Sequence, residues 1–289
     1  MLTQQLLNGL TIGTLYALVA LGLTMVYGVL RILHFAHGAV YAVGAYACLL
    51  LLEQHVPFGV AAATALVVAA VSGVLVERFF YRPLARAAPI LPLVAGVGVY
   101  LFVEDGLRLV FGPYSHAFPV DLGLPALAAG PVFLTGPQLL ILGSGLVLFP
   151  ALALFINATP LGLQMRAVAA DREMAAASGI AVGRIVGLNF AIGSALAGLA
   201  GILVALDFNA VYPTMGALPG LKAFAAVVVG GLGSLPGAII ASLLLGVSES
   251  FIEGFLDLPL GRDAAAFLLL ILVLMLRPQG LLGRRTDRV

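Results

Sequence analysis

Charge is what this chain has least of. Only 9% of its 289 residues are Asp, Glu, Lys or Arg, while 62% are hydrophobic. A soluble protein devotes about a quarter of its residues to charge, and a fold of this size could not cover its surface with so little. The composition excludes a water-soluble globular domain and reads as an integral membrane protein. Lysine is almost absent: Lys222, between Leu221 and Ala223, is the only one. A P-loop needs Gly-Lys-Ser/Thr to hold nucleotide phosphates, so the chain has none. The glycine-rich stretch 230–237 has neither that spacing nor the dinucleotide fingerprint. The single cysteine, Cys48, excludes an internal disulfide and a cysteine-only metal site. A formal net charge of +1 leaves no electrostatic case for nucleic acid.

Catalytic constellations are missing as well. Gly143-Ser144-Gly145 lies inside an apolar run, and no Gly-x-Ser-x-Gly elbow with histidine and acid partners accompanies it. His34 and His37 are three apart, but no cysteine, acid or third histidine follows closely. His55 and His116 fall on the opposite expected side, so no metal site is read. The N-terminal Met1-Leu2-Thr3-Gln4-Gln5 carries no positive side chain. The apolar run after it exceeds the roughly 7–15 residues of a signal-peptide core and reads as the first permanent span.

What the chain does have is apolar length. Segments 6–30, 36–52, 56–76, 90–111, 138–156, 185–206, 218–229, 238–252 and 264–276 are mainly apolar. A membrane helix needs about 20 such residues, and long runs rather than short alternating ones favour helices over a barrel. The expected fold is therefore an all-α polytopic membrane domain of about eight to nine helices. Segments 218–229 and 238–252 are short and flank the glycine-rich turn, which suits broken or re-entrant helices. No linker divides the chain, so 1–289 reads as one membrane domain with a short tail at 278–289.

Basic residues set the orientation. Arg31, the group Arg78, Arg82 and Arg86, the group Arg166, Arg172 and Arg184, and the tail Arg277, Arg284, Arg285 and Arg288 fall on one side of a nine-span model. Only Arg108, Lys222 and Arg262 fall elsewhere. That side, with the C-terminus, is expected to be cytoplasmic. The opposite side carries the connection 112–137, rich in Gly and Pro and without Lys or Arg, which suits an ordered external cap or a short interfacial helix.

One compact polar stretch interrupts the oil: Asp171-Arg172-Glu173-Met174-Ala175-Ala176-Ala177-Ser178-Gly179. Thr159-Pro160 reads as an N-cap with proline at the first helical position. Asp171 can cap a second helix, with Glu173 in its first turn, and Gly179 can end it in the left-handed conformation. The pattern predicts a two-turn helix over 171–178, outside the bilayer, whose charges flank a smooth alanine face for a soluble partner.

Other polar residues stand out against the apolar background. Lys222 reads as a pore- or gate-lining cation, an ion pair, or a lysine snorkelling from a helix end. Glu104 and Asp105 lie four and three residues before Arg108, within reach of it on a helix. Glu249 and Glu253 share a helical face near the outer side, where docking or solvation suits them. Asn189 precedes a stripe of small residues, Gly193, Ala197 and Gly201, flanked by Ser194 and Gly198; Gly9, Gly13 and Ala17 form another. Such stripes allow close helix contact, between subunits or within one.

Several stretches carry a family resemblance. The segment from Gly9-Leu10-Thr11-Ile12-Gly13 to Gly22-Leu23-Thr24-Met25-Val26-Tyr27-Gly28 resembles the opening of branched-chain amino-acid permeases of the LivH type. So do Phe35-Ala36-His37-Gly38, Glu77-Arg78 with Tyr81-Arg82-Pro83-Leu84, Gly220-Leu221-Lys222-Ala223-Phe224, Gly230-Gly231-Leu232-Gly233-Ser234-Leu235-Pro236-Gly237 and Arg277-Pro278-Gln279-Gly280-Leu281. They occur in family order along almost the whole chain. The resemblance implies a permease subunit of a binding-protein-dependent ABC importer, working by alternating access in the inner membrane. It implies a second permease subunit, identical or homologous, two ATPase subunits that carry ATP and Mg, and a periplasmic binding protein. This chain would bind no cofactor itself. Asp171, Arg172, Glu173, Ala175, Ala176 and Gly179 would form the ATPase-coupling loop. Lys222, Asn189, Gly230, Gly231 and Gly233 are candidates for the translocation route or gate, and Glu104, Asp105 and Arg108 for an outer vestibule. Related importers would carry other amino acids, short amides or urea. An ion-coupled secondary transporter would need carboxylates near the midplane, and none is read there.

Overall fold

The computed structural model describes residues 2–85, 87–88, 90–120, 122–123, 125–129, 132–255, 262–277 and 279–283. Arg86, Pro278 and the basic tail with Arg284, Arg285 and Arg288 lie outside the described residues. The described chain is mainly helical: α1 (Leu2–Leu30), α2 (His37–Glu53), α3 (Phe58–Val76) with a π-helical turn (Glu77–Tyr81), α4 (Ile90–Phe111), α5 (Gly136–Ala158), α6 (Pro160–Ala170), α7 (Arg172–Ala177), α8 (Val182–Phe208), α9 (Ala217–Gly230), α10 (Leu235–Phe255) and α11 (Arg262–Leu276). Six of these are long and apolar enough to cross a bilayer: α1, α3 with its π-turn, α4, α5, α8 and α10. Segment 238–252, expected to be short, belongs to the 21-residue α10 and is a full span. The short apolar helices are α9, with 14 residues, and α2, with 17.

Burial separates the helices by role. The most apolar stretch of α1 is 83% buried and that of α5 only 11%, so α1 is the central rod and α5 faces outward. In lipid there is no hydrophobic gain from joining two apolar helices, so close van der Waals contact must hold them. The glycine stripe of α1 supplies it. A Cβ added to Gly9 would sit 2.6 Å from Val247 Cα, and one on Gly246 would sit 2.3 Å from Gly13 N. Gly9 meets Val247 and Gly13 meets Leu243, so α1 and α10 run antiparallel. The second stripe works the same way: Gly193 lies against Gly22 of α1, and Gly198 against Gly44 of α2. Both stripes are spent on packing within this chain.

Two helices start inside the bundle. After Leu30 the chain doubles back, and His37 packs beside Val19 and Gly22 of α1. That level lies roughly 12 Å inside the end of α1, at 1.5 Å per residue. Gly38 in turn meets Gly216, the residue that precedes α9. The N-terminal ends of α2 and α9 therefore face each other in the interior, which is why both helices are short.

The connection from 112 to the start of α5 forms paired strands, with no helix among the described residues of 112–135. β1 (His116–Ala117) pairs antiparallel with β4 (Ala210–Val211), and β2 (Leu127–Ala129) with β3 (Val132–Leu134). Gln4 fastens this cap to the start of α1: its amide donates to Phe133 O and accepts from Phe133 N, both at 2.8 Å. The glycine contact between α1 and α10 predicts that Gly246→Leu destabilises the bundle by at least about 1–3 kcal/mol. A thermal melt of the purified variant in detergent checks this, and an unchanged midpoint would contradict the contact.

Candidate functional site

The polar stretch is built from local caps. Thr159 Oγ1 accepts from Gly162 N at 3.0 Å and Pro160 opens α6. Asp171 is extended, with φ −153° and ψ 117°, which ends α6. Its Oδ1 then accepts from Glu173 N at 2.8 Å and Met174 N at 3.0 Å, starting α7. Gly179, at φ +82°, ends the turn, with its N–H donating to Ala176 O at 3.0 Å. The helix spans Arg172–Ala177 with Asp171 and Ser178 as its caps.

The expected alanine face is divided. Ala175 is 4% exposed and turned into the protein, whereas Met174 is 66% exposed. Glu173, Ala176 and Ala177 are also exposed. Arg172 does not flank an outer surface either. Its Nε donates to Val29 O, in the last turn of α1, at 2.9 Å, and Nη2 reaches the same carbonyl. Burial, and then the charge of Arg31, lower the Arg172 pKa from its ordinary value; a guanidinium remains charged through any ordinary pH. The last turn of a helix carries unpaired carbonyls and partial negative charge, so a cation there joins α7 to α1. A second, open groove of about 610 Å³ adjoins this end, bordered by Glu77, Arg78, Arg82 and Arg184.

In the interior, Lys222 does not snorkel. It is 4% exposed and forms an ion pair with Glu249, which is fully buried. Lys222 Nζ lies 3.0 Å from Glu249 Oε1 and 3.1 Å from Oε2. Nζ also donates to the Tyr16 hydroxyl at 3.0 Å, and that hydroxyl donates to Glu249 Oε2 at 2.9 Å. The three residues come from α9, α10 and α1. Glu249 is thus no docking carboxylate at the membrane edge. A buried carboxylate does exist inside a span, and a lysine matches its charge. The missed signal was chemical: a lone lysine in an apolar helix needs an acid, and α10 offers one.

The remaining sequence-selected residues lie apart from one another. The Asn189 amide donates to Ile185 O of its own helix at 3.0 Å. Gly230, Gly231 and Gly233 form the turn between α9 and α10, with Gly231 at φ +104° and Gly233 at φ +84°. Segment 279–283 clasps that turn: Leu281 N donates to Val229 O at 2.7 Å and Leu282 N to Gly230 O at 3.0 Å. Arg108 bonds Asp105 at 3.0 Å and Glu104 at 2.5 Å, so the expected ion cluster forms near the C-terminal end of α4. A cavity of about 220 Å³ is bordered by none of these residues. Its walls come from the start of α2, the start of α9 and the middle of α4, and include His34, His37, Gly216 and Gly220.

A family model described as the permease component of a branched-chain amino acid transport system matches residues 5–277. The chain belongs to this family. It is 38% identical to the high-affinity branched-chain amino acid transport permease BraD of Pseudomonas aeruginosa, over 97% of this chain and 95% of that protein. LivH of Escherichia coli, of the same description, is 35% identical over the same shares. LivM of Escherichia coli is 27% identical over 94% of this chain and 68% of that protein. Among solved structures, PsaBC from Streptococcus pneumoniae in complex with Fab matches with TM-score 0.51 at 15% identity, covering 96% of this chain and 92% of that one. That likeness concerns the fold alone.

The family-like stretches of this permease occupy its structural joints. Residues 9–13 make the α1–α10 contact, and 230–237 make the clasped turn. Three others converge on the cavity: Phe35, His37 and Gly38 line it, as do Gly220, Leu221 and Phe224, while Tyr81 of the π-turn hydrogen-bonds His34 at 2.9 Å. A buried ion pair is costly to break from one side, by about 3–5 kcal/mol, whereas an apolar replacement of both partners is often neutral. Lys222→Met is therefore expected to destabilise the permease strongly, and Lys222→Met with Glu249→Leu to recover much of the loss. Melting curves of the three proteins check this; equal melting of single and double variants would rule out the coupling.

Proposed function

We propose that this permease moves branched-chain amino acids across the bacterial inner membrane, as one half of the membrane core of an ATP-driven, binding-protein-dependent importer. Family membership over residues 5–277 supports the transport role. The matches to both LivH and LivM favour a homologous second permease as its neighbour. The chain has no P-loop, its one lysine standing between Leu221 and Ala223, which assigns ATP and Mg to separate ATPase subunits.

The observation that carries the mechanism is the bond from Arg172 to the Val29 carbonyl. It ties a short, capped, outward-facing helix to the end of the most buried rod. Arg31, Arg82 and Arg184 lie toward the same end, and the positive-inside rule assigns that end to the cytoplasm. ATPases closing on nucleotide would press on Glu173, Met174, Ala176 and Ala177. Arg172 would pass the displacement to α1, which packs on α8, α9 and α10. The strand cap and the Glu104, Asp105 and Arg108 cluster lie at the other end, where a binding protein would deliver substrate. Alternating access follows as the two ends open in turn.

Uptake by proteoliposomes holding the assembled importer tests this reading. Ala176→Glu and Arg172→Leu are each expected to lower ATP-driven uptake on the order of tenfold, the usual size of a coupling energy. Folding should stay intact, because Ala176 is exposed and Arg172 only half-buried. Gly179→Pro should act likewise, since proline cannot adopt φ +82°. Normal uptake by all three would refute the lever role of α7.

A further inference from the structure

The open groove near the α7 end of the bundle has a charged rim. It runs between α3 with its π-turn and the start of α8, and Arg78, Arg82 and Arg184 border it. All three arginines are exposed. Among the described residues, none of the three has a hydrogen bond or a close ion pair. Glu77 is the one acid on the described wall; it is 5% exposed and offsets a single charge. Arg82 lies over the first turn of α8: a Cβ added to Gly183 would come within 2.9 Å of its Nη2. A helix start is the positive end of the helix dipole. Like charges therefore share this corner, and an anion would join them.

Behind the rim the wall turns apolar. Val74 of α3 and Leu188 and Ala191 of α8 line it. Ala191 lies roughly 13 Å beyond Val182, at 1.5 Å per residue, so the groove follows α8 well into its span. The flank of α3 alongside is bare: Val71, Leu75 and Phe79 are each 46–65% exposed. Both helices are long and apolar enough to cross a bilayer. The apolar part of the groove therefore lies at membrane depth, and the arginines lie at the membrane surface. A soluble protein could meet the arginines but could not fill the part behind them. A phospholipid brings a phosphate for the rim and an acyl chain for the depth.

We propose that this groove holds an anionic phospholipid. Its phosphate sits among Arg78, Arg82 and Arg184, and an acyl chain runs along Val74, Leu188 and Ala191. Guanidinium groups offer paired N–H donors that match phosphate oxygens. Basic pockets between membrane helices recognise lipid headgroups by this chemistry. Phosphatidylglycerol, whose one charge is the phosphate, is the simplest lipid that fits. In phosphatidylcholine a quaternary ammonium cancels that charge. The site requires only that this end of the bundle meets a membrane surface, so it stands whatever the permease carries.

The chain has no tryptophan, so a single introduced indole reports its own surroundings. Leu188→Trp places one on the groove wall, and Val74→Trp repeats the measurement from α3 should the first variant fold poorly. Leu146→Trp on α5, at a side chain 79% exposed, is a control outside the groove. The full-length variants are reconstituted in mixed phosphatidylglycerol and phosphatidylcholine vesicles, with one lipid or the other carrying brominated chains that quench the indole. At the groove, phosphatidylglycerol should be preferred by about tenfold or more; at the control, neither lipid should be. Adding Arg78→Gln, Arg82→Gln or Arg184→Gln should each lower the preference about fivefold, the attraction of one basic residue near an anionic surface. Equal quenching by both lipids at the groove would overturn the lipid site and leave the arginines to a protein partner. The same preference at the control, or one that survives all three arginine substitutions together, would also overturn it. Excess inorganic phosphate should not displace the brominated lipid, and displacement would reassign the rim to a soluble phosphate.

Discussion

Backbone contact between α1 and α10 is the constraint on which the rest of this permease depends. Lipid tails are as apolar as the helices they surround, so the bundle gains nothing from merely hiding leucines. It gains from atoms brought to van der Waals distance, and glycines at 9, 13 and 246 let two backbones touch. That contact lets a buried lysine on α9 and a buried glutamate on α10 share the tyrosine of α1. If the helices stood a side chain further apart, the two charges would be separated in a medium that punishes separation.

The rod at the centre also joins three features of the bundle. Tyr16 meets the ion pair, Val19 bonds His37, Leu23 lines the cavity, and Val29 receives Arg172 from α7. These points span roughly 20 Å of one continuous helix at 1.5 Å per residue. A push at α7 therefore has a stiff element to act on.

Local features were legible in advance. Thr159-Pro160 and Asp171 start helices because their side chains reach amides two or three residues on, and Gly179 ends one because glycine accepts a positive φ. The paired acids of α4 were readable at spacings of three and four. Hidden from such reasoning were the facing of Ala175, the full length of α10, and the spending of both small-residue stripes within one subunit. Each depends on which neighbour happens to lie opposite. His34 and His37 were passed over because a metal site was sought in the chain nearby. His34 bonds Tyr81, 47 residues away, and His37 bonds the Val19 carbonyl of α1.

By itself the sequence determined the membrane class, the helical architecture, the caps around α7, the absence of a nucleotide loop and, through six ordered stretches, the family. The class, the helices and the caps rest on hydropathy or on hydrogen bonds that close within one helical turn, and the other two on residue identity and spacing. Only the tertiary structure decided that Lys222 belongs to Glu249, 27 residues along. It alone brought two helix starts and two histidines around one cavity, and bound Arg172 to a carbonyl 143 residues earlier. Those pairings arise because buried charges and open helix ends must find partners across the bundle, and a linear chain does not show which helix will stand beside which.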